Sequence, residues 1–249
     1  EMSGTRTTLA STYGTASIRA QTIGTQYTSA RQATYGYTGT TDSEDGNTSF
    51  MNSHMVKNSE WGAVAYLTQS QYGRNGKEIT RNSSSSYYRG GGSGTAYLTN
   101  TNQSTTGNVY GIYDMSGGAW EYVASFDKLG SSSYVVGTTT GLNMTQEAKD
   151  SSGNYVSTKY ITAYSNGKST GGGTSIYTIG KTGDSTKEVY IGSIAKGWFS
   201  DYCEFVGSSA PFLMRGGYYG HGSSAGVFGS DNVVSFSHGG NSFRAVLSL

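Results

Sequence analysis

Cysteine is almost absent from this chain. Cys203 is the only one, so no intrachain disulfide can form and a cysteine-based zinc site lacks ligands. Charge is scarce too: Asp, Glu, Lys and Arg make up 13% of the 249 residues, well below the quarter usual in globular domains. With a net charge of +1 and no run of Lys or Arg, the chain has no electrostatic footprint for nucleic acid, which is not expected as a partner. No apolar stretch approaches the roughly 20 residues that span a bilayer, so direct membrane insertion is not expected. The opening EMSGTRTTLAST carries no apolar signal-peptide core.

Glycine (38) and tyrosine (21) are abundant, with Ser, Thr and Asn between them, so polarity comes from hydroxyls and amides. The length suffices for a sizeable core, and one domain with long insertions is the favoured organisation. The composition resembles that of secreted adhesive domains and virion fibres. An extracellular, cell-surface or virion-surface location is therefore expected.

Residues 1–50 read as an irregular N-terminal arm packed on or preceding the domain, with a short helix through Ser29–Ala33. Asp42, Glu44 and Asp45 precede Gly46 there, but only an Asp-x-x-Asp-Gly fragment of a calcium loop is present, which favours a solvated turn. The best helix runs from Ser59 to about Tyr72, capped by Asn58 or Ser59, with Trp61, Val64, Ala65 and Thr68 at helical spacing. Trp61 on that stripe reads as core. Two insertions, 81–94 and 138–173, read as surface loops within the 51–249 domain, the second with strand-like pieces at Tyr155–Val156 and Tyr160–Tyr164. Short strands are expected at Ser175–Ile179, Val189–Ile191, Phe212–Arg215 and Phe243–Leu247. No alternation of strands with long helices is present, so the expected class is α+β with short strands, few helices and much irregular loop.

Two segments carry the most information. GIYDMSGGAWEY, Gly111–Tyr122, reads as a strand, a tight Ser116-Gly117-Gly118 turn and a second strand with a buried Trp120. At the far end, MRGGYY and SFRAVL bracket a stretch from Tyr218 to Asn241. Their order and spacing resemble the formylglycine-generating-enzyme/sulfatase-modifying branch of the C-type-lectin fold, over about Val56 to Leu249. That family's pattern is an LYDM-xGN-xWEW turn, then RGGSW, then a closing GFR. The family's oxidases use paired cysteines, or copper held by them, just after the RGG. Aligned on Gly216-Gly217, this chain has His221 and Gly226 at those positions, so the thiol chemistry lacks its nucleophile and a non-enzyme is expected.

The same fold is used by variable proteins of diversity-generating retroelements, including phage receptor-binding proteins of the major tropism determinant type. In those, the segment between RGG and FR varies and faces the ligand. Adenine-directed mutagenesis of AAY-type codons cannot yield Lys, Glu, Gln, Met or Trp, and none of these occurs from Tyr218 to Asn241. The expected ligand-binding residues are Tyr218, Tyr219, His221, Ser223, Ser224, Ser230, Asp231, Asn232, Ser237, His238 and Asn241, flanked by the Tyr87-Tyr88 loop. Tyrosine gives broad amphipathic contact at low entropic cost, and Ser, Gly and Asn give adaptable hydrogen bonds. Val227, Phe228 and Phe236 are assigned to packing.

The resemblance also implies a structural calcium held by Glu121 with carbonyls of Ser116, Gly117 and Ala119, although Gly118 replaces the usual asparagine. No other cofactor is expected. His54, His221 and His238 have no i,i+4 partner among them and read as solvated or ligand-facing. Arg215 and Arg244 read as structural, paired with acids such as Asp114 or Glu121. Trp61, Asp114, Trp120, Gly216, Gly217 and Phe243 complete the structural set. The leading reading is a non-catalytic receptor- or ligand-binding adhesin of a phage or bacterial surface, with a protein or glycan partner. An oxidase using non-standard residues and a pilus or fibre subunit are the alternatives.

Overall fold

The computed structural model describes Tyr13, Ala16, Ala20 and residues 52–129, 148–168, 174–192, 195–234 and 238–248. The expected helix at 29–33, the acidic cluster Asp42, Glu44 and Asp45, and Phe236 and Ser237 lie outside these residues, as does part of the 138–173 insertion.

Strand β2, Trp120–Asp127, is buried along its entire length. Side chains alternate across a strand, so a strand covered on both faces must suit two different surroundings. Trp120, Tyr122, Ala124 and Phe126 enter one apolar cluster with Phe212, Met214, Val233 and Ile161. Val123 enters the other, with Trp61, Ala65, Leu213, Phe205 and Phe228, while Glu121, Ser125 and Asp127 are fully buried polar groups. Asp127 serves as an acceptor for the backbone N–H groups of Leu129, Asn166 and Gly167.

Around β2 stand strand β5 (Thr162–Tyr164), β6 (Phe212–Arg215), β7 (Ser230–Val233) and β8 (Asn241–Phe243). β6 lies antiparallel to β2 and carries β7 on its other edge. The second edge of β2 is shared: β8 pairs in parallel with residues 120–122 and β5 with residues 125–127. Between them, Ala124 N–H donates to Val56 O at 2.7 Å. A separate antiparallel ribbon joins β1 (Asn52–Met55) to β9 (Ala245–Ser248), and β3 (Ala148–Lys149) pairs with β4 (Tyr155–Val156). Few helices and sheets of short strands make this a mixed architecture compatible with the expected α+β class.

Helix α1, Asn58–Gln69, buries Trp61, Ala65 and Thr68 of the expected stripe, with Val64 half-buried, and buries Asn58 and Gly62 besides. Its N-cap is Lys57 in place of Asn58 or Ser59, because the Glu60 carboxylate accepts the Lys57 backbone N–H at 2.8 Å. Asn58 is drawn into the core instead.

Several expected strands differ. Residues 111–119 form turns and coil, with Asp114 in the left-handed region (φ 63°), so the first strand of the glycine-turn motif is absent. Ser175–Ile179 belongs to the short helix α2, Thr174–Ile179, and Val189–Ile191 to turns and coil. The closing strand breaks at Arg244 into β8 and β9, whose partners are β2 and β1. The 1–50 arm is not irregular where it is described: Tyr13, Ala16 and Ala20 are helical, fully buried and part of the β2 cluster. Tyr13 stacks on Phe212 with ring centroids 4.2 Å apart.

Candidate functional site

The two sequence motifs meet in space. Gly117 N–H donates to Gly216 O at 3.0 Å, and Tyr219 N–H donates to Gly118 O at 2.8 Å. Glu121 stands opposite Arg215 across β2 and β6. Gly216 and Gly217 adopt φ of 91° and 76°, which only glycine takes without strain, and a Cβ on Gly217 would lie 2.6 Å from that of Ala225. These two residues turn the chain off the end of β6 and hold residues 218–224 outside the sheet.

On that turn the rings build a connected cluster. Tyr218 and Tyr219 are 5.0 Å apart, Tyr219 and Tyr87 5.5 Å, Tyr218 and His221 4.1 Å, and His221 and Trp120 5.2 Å, all edge-to-face. Trp120 is buried, and the other four are half-buried. Burial holds the His221 imidazole below its usual pKa, so it is neutral near pH 7. Tyr87 reaches the cluster from the 81–94 loop, as expected of a flanking element. Asn82 positions that loop by pairing with the 116–118 turn, its N–H donating to Ser116 O and its carbonyl accepting from Gly118 N–H, both at 2.8 Å. Its side-chain amide donates to Asp114 Oδ1 at 2.6 Å and to Tyr88 O at 2.7 Å.

The remaining expected ligand residues divide. Ser223 and His238 are exposed, and Ser224 is half-buried. Ser230 is 1% exposed, with its hydroxyl donating to Glu204 O, and Asn241 is 2% exposed on β8. Neither can face a ligand, because β7 and β8 continue the sheet through these positions. Asn232 spends its amide on Phe205 O at 2.6 Å. Burial, reinforced by Glu204, pushes the Asp231 carboxyl up to about 7. Ser237 lies outside the described residues. The surface offered by the bracketed segment is therefore 218–224 with His238, and Tyr87 adjoins it from the 81–94 loop.

Beneath it the chain is fastened. The Asp201 carboxylate accepts the Phe228 N–H at 3.0 Å and occupies the space where a side chain on Gly226 would begin. Burial pushes this carboxyl up to about 7. Cys203 is buried, its thiol donating to Phe228 O at 3.4 Å, and burial raises its pKa to about 11. Such a thiol is a poor nucleophile at neutral pH.

Glu121 is fully buried and gripped bidentately by Arg244, at 2.8 and 3.0 Å, while the same guanidinium reaches Tyr113 O at 3.0 Å. The acid implied as a calcium ligand thus carries an arginine on both oxygens. Among the described residues no group of three or more His, Cys, Asp or Glu side chains is placed to hold a metal ion. The structural pairing of Arg244 follows the expectation. That of Arg215 does not, since its guanidinium bonds Asn58 Oδ1 at 2.9 Å, Ser185 Oγ at 2.7 Å and the carbonyls of Asp184 and Ser185. Asn58 in turn donates to Tyr164 OH at 3.0 Å, and Tyr164 donates to Asp184 at 2.8 Å. Trp61, fully buried, donates to Val227 O at 2.8 Å. His54 is buried too, against Glu60 at 3.0 Å, so it is neither solvated nor ligand-facing.

Among the described residues no helix is long and apolar enough to cross a membrane. Neither the protein-family models nor the curated proteins give a match to this chain.

Proposed function

We propose that this chain is a non-catalytic binding protein whose 51–249 domain is a C-type-lectin scaffold of the formylglycine-generating-enzyme type. It presents residues 218–224, with Tyr87 and His238, to a ligand on another cell or molecule. The retroelement-diversified surface proteins of phages and bacteria are the class it resembles most. One observation carries this reading: the segment after Gly216-Gly217 leaves the sheet and gathers Tyr218, Tyr219, His221 and Tyr87 into one half-exposed aromatic cluster held by main-chain bonds to the 116–118 turn. Tyrosine-rich surfaces on a rigid frame suit recognition, where a few aromatic anchors supply most of the affinity. A non-enzyme is supported by the thiol inventory, since the one cysteine is buried and has no second cysteine to pair with.

Screening the full chain against an array of surface-protein ectodomains and glycans tests the proposal. A chain with Tyr87→Ala and Tyr219→Ala is expected to lose at least tenfold in affinity for whatever the parent captures, with a melting temperature within a few degrees of the parent's. Unchanged capture by that variant would refute the assignment of the face. So would turnover of a cysteine-containing peptide by the purified protein, which would install the oxidase alternative.

A further inference from the structure

Arg81 reaches the turn that carries the aromatic face, and no described acid pairs with it. Its stem crosses the glycine turn, with Cγ 2.5 Å from where a Cβ on Gly117 would sit, and its Nη1 lies 3.5 Å from the corresponding point on Gly222, the residue after His221. Its backbone is fixed on both sides: Gln103 donates to Arg81 O, Thr80 N–H to Asn102 O and Asn82 N–H to Ser116 O. The scaffold therefore places the backbone from which this side chain springs. The buried Nε has no hydrogen-bond partner among the described residues, and no described acid forms an ion pair with the guanidinium. The Asp114 carboxylate accepts from the Asn82 amide.

A half-buried guanidinium is tolerable while water reaches it. Once a partner covers the face, it loses that water and requires an anion in exchange. His221 is held neutral and cannot supply charge of either sign. The surrounding rings narrow the class of partner. Tyr219 is closed by Tyr87 and Tyr218, and Tyr218 by His221, so none of the three stands alone as a flat platform for a sugar ring. Clustered tyrosines on a turn that an arginine reaches have the composition of a protein–protein hot spot.

We propose that Arg81 is the charged anchor of this face and that the partner is a protein inserting an aspartate or glutamate side chain beside the His221-Gly222 turn. The inference rests on the reading of 218–224 as the binding surface. The test titrates the full chain, followed by amide NMR, with three probes: a capped peptide alternating glutamate and tyrosine, its glutamine counterpart, and a uronic-acid trisaccharide. The glutamate peptide is expected to shift resonances at 81–87 and 218–224 and to bind at least tenfold tighter than the glutamine peptide. Raising salt weakens it, and Arg81→Gln removes the tenfold preference, which Arg81→Lys restores in part. Equal binding of the two peptides, no binding, or tighter binding of the trisaccharide would overturn the proposal. Loss of array capture in the tyrosine variant with full retention in Arg81→Gln would defeat this inference alone. Retention in the tyrosine variant would defeat the underlying reading, whatever Arg81 does.

Discussion

Residues 218–224 and 225–233 are neighbours that each carry two glycines and small polar residues, yet one stretch stands outside the sheet and the other is built into it. The first owes its position to main-chain bonds and leaves its side chains half-buried or exposed. The second buries Ala225, Gly226, Val227, Phe228, Gly229 and Ser230 without interruption and then pairs with β6 as β7. Small polar residues in a glycine-rich run thus do not by themselves mark a free surface. The difference lies in what waits on the other side: the Asp201 carboxylate and the Trp61 indole N–H under the second stretch, and a ring of aromatics beside the first.

The largest test of this contrast is Gly226→Ala. The new methyl would be driven into the Asp201 carboxylate, which the Phe228 N–H holds in place, and overpacking of this kind costs about 1–3 kcal/mol. Urea unfolding should show that loss, and wild-type stability would mean that Asp201 moves freely. Tyr218→Ala comes next, at about 2 kcal/mol, because this ring packs partly against the β2 cluster. Tyr219→Ala should cost under about 1 kcal/mol, and equal losses for the two would erase the distinction between anchored and presented tyrosine.

A further test concerns pH. Asp201 has a folded-state pKa of about 7, above the ordinary carboxyl value of 3.8. A raised acid binds its proton more tightly in the folded state, so its contribution is full below about pH 4 and is lost as pH rises through about 7. Asp201→Asn should therefore flatten the fall in melting temperature between about pH 4 and about pH 7. An unchanged slope would place the titration elsewhere, with Asp231 the first candidate. Smallest of all, Ser223→Ala should leave stability within about 0.5 kcal/mol.

Much of the scaffold is legible in the chain. Most of the α1 stripe, β6 and the β4 and β5 pieces follow from helical spacing and from β-branched and aromatic runs. The strand pattern of Gly111–Met115 misleads because Asp114 is bound by Asn82, a residue 32 positions away that no local periodicity reveals. Ser175–Ile179 reads as a strand from its Ile and Tyr, but Ile176 is buried in the core and Ile179 packs against the same cluster, a spacing of three that a helix delivers and an alternating strand does not. Ser230 and Asn241 look like surface residues until the partners of β7 and β8 are known. Tyr13, Ala16 and Ala20 have the spacing i, i+3, i+7, a helical signal hidden in a Thr- and Ser-rich stretch. Arg81 carries no sequence signal, since its significance is the absence of a described acid beside it.

The bonds that shape the 218–224 turn, from Tyr219 to Gly118, His221 to Tyr218, Ser224 to His221 and Tyr202 to Ser224, all run between backbone groups. Such a loop is indifferent to the identity of most side chains it carries but intolerant of a change in their number. One inserted or deleted residue would shift every donor off its acceptor, while many substitutions would leave the frame untouched. A surface sewn in this way can change its wording freely, provided that it keeps its length.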